Sequence, residues 1–305
     1  MVDSEPAGQA DPPRFGYVAL LGRPNVGKST LLNALVGEHL AIVTHKPQTT
    51  RHRIVGLLTE ARGQVAIVDT PGLHRRRDHA LNRRLNRVAA DTSQDVDLVV
   101  MVVDATHLTE EDERVLDLVG KHDGPALLAF NKIDRLQDRS VLLEKTAEWS
   151  NRGRFDAVVY LSATRREGLD ALLTEVFRNL PEGQPQFPED LFTDRSERFL
   201  AAELVREQLM LQLHQEIPYG LTVIVERFER TDQRLEIDAL ILVSEDRHKA
   251  MVIGRQGQVL KRVGTRARHA IAELLGSPVH LSLHVKTRSG WVDDERELDD
   301  LGYAG

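Results

Sequence analysis

Tyr17–Ser29 reads YVALLGRPNVGKS, and this stretch decides the fold of the larger part of the chain. Tyr17–Leu21 is a short apolar run of the kind that makes a buried strand. Gly22–Ser29 follows at once and fits G-x-x-x-x-G-K-[ST]. In such a loop the glycines let backbone N–H groups wrap a row of phosphates. The loop assigned to phosphate is Gly22, Arg23, Pro24, Asn25, Val26, Gly27, Lys28 and Ser29, with Thr30 beside it. Lys28 would reach the β and γ oxygens, and Ser29 would ligate Mg²⁺. The next segment reads as a helix with its positive end at the anion, closed by Gly37 as C-cap.

Outward from this unit the pattern repeats. Gln64–Val68, Asp97–Val103, Ala126–Phe130 and Ala157–Leu161 read as further buried strands, with helical segments between them. Leu81, Leu85 and Val88 share one helix face. Such alternation predicts an α/β fold with a mainly parallel, doubly wound sheet. Pro181–Asp190 (PEGQPQFPED) holds three prolines and reads as a linker. Beyond it the order changes: a long amphipathic helix (about Arg195–Leu213), strands Leu221–Glu229 and Arg234–Val243, a short segment to Ile253, a helix (about Gln258–Leu275) and a strand Val279–Val285. This αββααβ order predicts a small α+β module. The expected division is a disordered extension over 1–13, one domain over 14–180, the linker over 181–190, and a second domain over 191–305 that ends in an acidic tail.

Composition narrows the possibilities. A chain of 305 residues suits two domains. With no cysteine, disulfides, thiolate zinc sites and cysteine nucleophiles are excluded, and a reducing compartment is expected. No uncharged apolar run approaches the roughly 20 residues that span a bilayer, and the opening MVDSEPAGQADPP lacks the apolar core of a signal peptide. The net charge is 40 − 47 = −7, but it is uneven. Residues 247–288 hold nine Lys and Arg against the single acid Glu273, a local +8, whereas Asp293–Asp300 holds six acids and one Arg. Phosphate binding follows the local potential, so a nucleic-acid partner stays open.

One phosphate loop suits an ATPase, a small-molecule kinase or a GTPase; three further motifs separate them. Asp69, Thr70, Pro71 and Gly72 (DTPG) end one strand. A carboxylate there can hold Mg²⁺ through water, and the Gly72 N–H can sense a γ-phosphate. Asn131, Lys132 and Asp134 (NKID) end another. The Asp134 carboxylate can accept from guanine N1–H and N2–H₂, a donor pair that adenine lacks. Lys132 can lay its stem over the base, and Asn131 can tie this loop to the phosphate loop. Ser162 and Ala163 (SAT) end a third strand, where the Ala163 N–H would meet guanine O6. All these motifs fall at strand C-termini, which in a doubly wound sheet share one crevice.

With these residues the chain resembles the translation-factor-like GTPases. Gln48–His52 (QTTRH) fits their first switch, in which a threonine closes on Mg²⁺ and the γ-phosphate; Thr50 is preferred and Thr49 is the alternative. Ser29, Thr50 and Asp69 then form the expected Mg²⁺ set. Where Ras-like GTPases carry a water-orienting glutamine, this chain has Leu73. It therefore resembles the GTPases with a hydrophobic residue there, many of which take K⁺ near the phosphates through a phosphate-loop asparagine, here Asn25. The catalytic set that the resemblance implies is Lys28, Thr50, Gly72 and Asn25. His74 and Arg75–Arg77 would lie on the second switch.

Val252–Gly257 (VIGRQG) resembles the turn of a KH domain, which clamps single-stranded RNA by its backbone. Gly254, Arg255, Gln256 and Gly257 would meet phosphate, helped by Lys261, Arg262, Arg266, Arg268, Lys286 and Arg288. The αββααβ order matches the type II KH arrangement. No Phe, Trp or Tyr occurs from Arg247 to Gly290, which argues against modules that stack bases on aromatic rings. GRPNVGKS, QTTRH, DTPGLH, MVIGRQG and the ending SGWVDDERELDDLGY, in this order, resemble the Era family of bacterial GTPases over nearly the whole chain. The resemblance implies a monomeric, cytoplasmic GTPase with some peripheral membrane association. It would use GTP/GDP, Mg²⁺ and K⁺, bind the 3′ end of 16S rRNA, and assist maturation of the 30S subunit. Two rival readings are a P-loop ATPase or kinase, which NKID disfavours, and an RNA chaperone with a vestigial nucleotide site, which the intact Lys28, Ser29, Asp69 and Asp134 disfavour.

Overall fold

A strand covered on both faces must be apolar at nearly every position. Leu98–Asp104 (LVVMVVD) satisfies this and is buried along its whole length. In the computed structural model of the protein, which describes residues 12–46, 49–72, 79–213 and 220–303, it is the fourth strand of a six-stranded sheet. The strands are β1 (Arg14–Leu21), β2 (Ile54–Glu60), β3 (Gly63–Asp69), β4 (Leu98–Asp104), β5 (Ala126–Asn131) and β6 (Ala157–Tyr160), in the order β2-β3-β1-β4-β5-β6. All pairs are parallel except β2–β3. Sequence periodicity did not single out β2. Its apolar run is short and interrupted by Gly56, and pairing with β3 is what makes it a strand.

Period-two alternation sorts the core into two layers. Val18, Leu20, Val100 and Val102 face α1 (Lys28–Val36) and α5 (Leu169–Asn179). Ala19, Leu21, Met101 and Val103 face α3 (Glu110–Val119) and α4 (Val141–Arg152). The chain leaves β1 for partners on both sides, β3 and β4, so the crevice of the doubly wound sheet opens at their carboxyl ends. Residues 186–187 are fastened to β3 by the buried Gln64 side chain, which accepts from Gln186 N and Phe187 N at 2.9 Å each.

The second module is α6 (Glu197–Gln212), β7 (Leu221–Arg230), β8 (Leu235–Val243), α7 (Asp246–Ile253), α8 (Gln258–Leu275) and β9 (Val279–Thr287). β8 is central, antiparallel to β7 and parallel to β9. Leu204 and Val205 of α6 and Val263, Ala267 and Ile271 of α8 share a core with Ile237 and Ile241 of β8.

The acidic stretch expected as a tail is instead folded. Asp294 caps α9 (Glu295–Asp300), accepting from Arg296 N at 2.9 Å and Glu297 N at 3.2 Å. Trp291, Leu298 and Tyr303 are buried against Leu81 and Leu85 of α2 (Ala80–Gln94). The apolar stripe of α2 therefore meets the C-terminal element, while Val88 on the same stripe is only half-buried. Asp293 also accepts from Ala80 N at 3.1 Å, capping a helix whose own N-cap residue, His79, makes no side-chain cap bond. Such a cap is worth about 1 kcal/mol.

Candidate functional site

The phosphate loop leaves β1 and enters α1 at Lys28. The ammonium is buried and donates to the carbonyls of Gly22 (2.8 Å) and Arg23 (3.2 Å), at the centre of the loop. Burial lowers its pKa from 10.5 to about 8, although Asp69 pulls the other way. A phosphate placed here would restore the charge. Gly72 lies so close that a Cβ would stand 2.9 Å from Pro24 N, which brings the DTPG loop onto the phosphate loop. Pro71 is buried in the same turn, and Thr30 is half-buried beside the loop. Two expected members have their side chains engaged by other protein groups. The Arg23 guanidinium donates to Asp112 (3.0 Å) and the His107 carbonyl (2.8 Å), and Thr70 Oγ1 donates to Leu20 O at 2.9 Å.

Ser29, Thr50 and Asp69 converge. Ser29 Oγ donates to Asp69 Oδ2 at 2.6 Å and lies 2.8 Å from Thr50 Oγ1, which donates to the same oxygen at 3.4 Å. Burial raises the Asp69 pKa, opposed by Lys28 and the two hydroxyls. Its other oxygen, Oδ1, is buried with no hydrogen-bond partner. An orphaned carboxylate oxygen beside two hydroxyls is a donor set suited to a hard cation, so these residues fit Mg²⁺. Thr49 points elsewhere: its hydroxyl lies 2.6 Å from Thr44 Oγ1 and donates to Lys46 O at 2.7 Å. Asn25 is held in the left-handed region (φ 64°), and its Nδ2 donates to His45 O at 3.1 Å.

At the base end, Asn131 Nδ2 donates to the buried Val26 carbonyl at 2.8 Å, while its Oδ1 accepts from Lys132 N (2.8 Å) and Ala163 N (3.0 Å). The expected Ala163 contact to O6 is therefore not preformed. Ser162 Oγ donates to Asp134 Oδ1 at 2.6 Å and orients that carboxylate. Lys132 Nζ donates to Asn25 O and Asp104 Oδ2, each at 2.6 Å. Burial opposes ionisation of Asp104, but the bonds from Lys132 and Thr106 outweigh it and leave its pKa lowered. Sequence reading missed Asp104. Its signal was position: it ends β4 in register with Asn131. A cleft of about 400 Å³ runs between the two ends, lined by Pro24, Asn25, Gly27–Thr30, Thr50, Gly72, Asn131 and Lys132. Ile42–Lys46 and Arg135, which also line it, were unforeseen. Gln48, Leu73, His74 and Arg75–Arg77 lie outside the described residues, as does 1–11 of the expected extension.

In the second module α7 ends at Gly254, whose φ of 71° and ψ of 175° suit glycine. Arg255 and Gln256 are exposed at the turn, Gln256 with φ 52°, and Gly257 opens α8. Around the α8 axis Lys261 and Arg268 fall within about 20° of each other, while Arg262 and Arg266 lie about 100–160° away by helical geometry. Lys286 is exposed on β9. Arg288 is already paired with Glu297 at 2.8 Å, so its expected role as a phosphate contact competes with α9.

Comparison with known proteins finds matches in both modules. A family model described as 50S ribosome-binding GTPase matches residues 17–132, and a KH domain model matches residues 216–292. GTPase Era of Azotobacter vinelandii is 50% identical over 290 residues, 95% of this chain and 97% of that protein. GTPase Era of Pseudomonas putida is 48% identical over 295 residues, 96% of this chain and 97% of that protein. A solved structure of an Aquifex aeolicus Era variant bound to GDP·AlF4⁻ superposes with a TM-score of 0.92 at 34% identity, covering 96% of this chain and all of that one. A structure of Era with MgGDPNP and nucleotides 1506–1542 of 16S ribosomal RNA gives the same TM-score, identity and coverage. With half its residues identical to such relatives over almost its full length, and with a phosphate loop, a guanine pocket and a KH turn in the same order, the chain belongs to the Era family of GTPases.

Proposed function

We propose that this protein is a GTP-driven switch that binds the 3′ end of 16S rRNA through its KH module and assists maturation of the 30S subunit. One observation carries the catalytic half: the Ser29–Thr50–Asp69 cluster and the Asn131–Asp134 pocket stand at the carboxyl edge of one sheet. Asp134 accepts the guanine N–H groups, and Asn131 keeps that loop in register with the phosphate loop. Lys28 holds the β and γ oxygens, and the Gly72 N–H meets the γ-phosphate. Ser29, Thr50 and Asp69 hold Mg²⁺, which when bound withdraws charge from the phosphate oxygens. Water attacks the γ-phosphorus, the bond to the β-phosphate oxygen breaks, and GDP and phosphate leave.

With Leu73 in the place of a glutamine, Asn25 would help to hold K⁺ near the phosphates, and that cation would supply charge to offset what develops between the β and γ groups. The solved Era complex with nucleotides 1506–1542 supports the choice of RNA, and the turn Gly254–Gly257 would receive its backbone. The protein acts as a cytoplasmic monomer with peripheral contact to the membrane. No helix among the described residues is long and apolar enough to cross one. The test is retention on purified 30S subunits with a non-hydrolysable GTP analogue against GDP, alongside phosphate release from GTP and ATP. Equal release from both nucleotides would favour a general P-loop ATPase; retention indifferent to nucleotide would favour an RNA chaperone.

A further inference from the structure

One side of α6 follows the segment that carries Thr50. Glu207 Oε1 accepts from Val43 N at 2.8 Å and lies 3.0 Å from His39 Nε2. Lys46 Nζ donates to the carbonyls of Met210 and Leu213, where a helix end leaves acceptors open. Between these contacts Arg206 Nη2 donates to the Thr49 carbonyl at 2.6 Å. Arg206 is 1% exposed and Glu203 4%, and the two are joined by a fork: Nε to Oε1 at 2.8 Å and Nη2 to Oε2 at 2.6 Å.

A buried ion pair is a poor way to gain stability, because desolvation offsets most of the attraction. This pair does something an apolar pair could not. Glu203 fixes the plane of the guanidinium, and the fixed plane aims an N–H at Thr49 O. That carbonyl belongs to the planar peptide unit leading into Thr50, so holding it restricts where the Thr50 hydroxyl can stand. The hydroxyl is 2.8 Å from Ser29 Oγ. On the far side, Arg51 Nη1 donates to Leu221 O of β7 at 2.7 Å. Both neighbours of Thr50 are thus gripped by the second module.

We propose that Arg206, oriented by Glu203, is a positioning residue for GTP hydrolysis: from outside the nucleotide domain it sets Thr50 where Mg²⁺ and the γ-phosphate require it. The inference rests on the reading of Thr50 as a Mg²⁺ ligand. It goes beyond a tether between domains, because it assigns the contact to one carbonyl and one hydroxyl.

The test uses the full chain with Arg206→Lys, which keeps a charge for Glu203 but not the planar fork. Displacing a reacting group from afar costs roughly ten- to a hundredfold in turnover. We expect a loss of that order, a higher Mg²⁺ concentration for half-maximal turnover, and unchanged GDP affinity without Mg²⁺. In a Thr50→Ala background the same substitution should cost nothing further, since the two act through one group. Should Arg206→Lys not fold, Glu203→Gln/Arg206→Gln leaves no unpaired buried charge and carries the same expectations. Wild-type turnover in the same assay reads the underlying function separately. With that turnover intact, an unaffected variant, or one losing the same factor in both backgrounds, overturns the inference.

Discussion

The Asn131 side chain donates to the Val26 carbonyl at 2.8 Å, which ties the loop that meets the base to the loop that meets the phosphates. Recognition of the base and placement of the γ-phosphate are therefore one rigid problem. From the loop after β6, Ser162 fixes one oxygen of Asp134 at 2.6 Å and so aims its carboxylate.

Base choice should follow Asp134. Asp134→Asn exchanges an acceptor for an amide that can pair with the oxo group of xanthine. Each charge-assisted bond lost is worth about 1.5–3 kcal/mol, so GTP should weaken at least roughly tenfold while xanthosine triphosphate gains. Competition binding with the two nucleotides measures this. Unchanged preference for GTP would remove Asp134 from base recognition.

Turnover should be faster in K⁺ than in Na⁺ at equal ionic strength, and Asn25→Ala should abolish the difference. Asn25 meets the His45 carbonyl at 3.1 Å, so its amide already stands between the phosphate loop and the segment leading to Thr50. Equal rates in both salts would take the monovalent cation out of the mechanism.

His39 should titrate above its ordinary value of 6.5, chiefly because its ring is hydrogen-bonded to Glu207; burial opposes the shift, and the charges of Glu207 and Glu273 add to it. A raised pKa in the folded state means that the protonated ring favours folding. That contribution is complete below 6.5 and fades as pH rises through the folded value. The ring is half exposed, so the effect on stability is small. An NMR titration of His39 should show the raised midpoint, and Glu207→Gln should bring it down. A midpoint that ignores that substitution would show that the contact is not made in solution.

The motifs that name the chemistry were legible because each is local: a glycine loop, a strand end, a turn. What escaped the sequence is tertiary. Glu203, Arg206 and Glu207 look like the solvent face of an amphipathic helix, yet all are buried, because the Thr49 carbonyl and Val43 N–H satisfy them from another domain. Trp291, Leu298 and Tyr303 are spaced too widely among acids to suggest a core, and only α2 brings them together. The same fold that hides these residues engages Arg288 with Glu297, which charge counting treated as free for RNA.

RNA binding should depend on the turn at Gly254–Gly257. A Cβ at Gly254 would stand 2.4 Å from Val259 Cγ2, so substitution there would also disturb α8; at Gly257 nothing lies within 4 Å. Gly257→Asp avoids that clash, at the cost of about 1 kcal/mol for a side chain at its φ of 74°, and should weaken RNA while leaving GTP affinity unmoved. Arg255→Ala should weaken RNA less and make the salt dependence shallower by about 0.7 in the logarithmic slope. Filter binding across a salt series reads both. An unchanged slope would mean that Arg255 meets no phosphate.

The nucleotide and the RNA should report on each other through the grip of the second module on the Thr50 segment. The direct measurement is the affinity of a non-hydrolysable GTP analogue with and without an oligonucleotide of the 16S rRNA 3′ end, repeated with GDP. Binding linkage is reciprocal, so RNA should tighten the analogue by the same factor by which the analogue tightens RNA, and GDP should show a smaller factor. Equal affinities in all four conditions would contradict the account and leave two tethered modules without a switch.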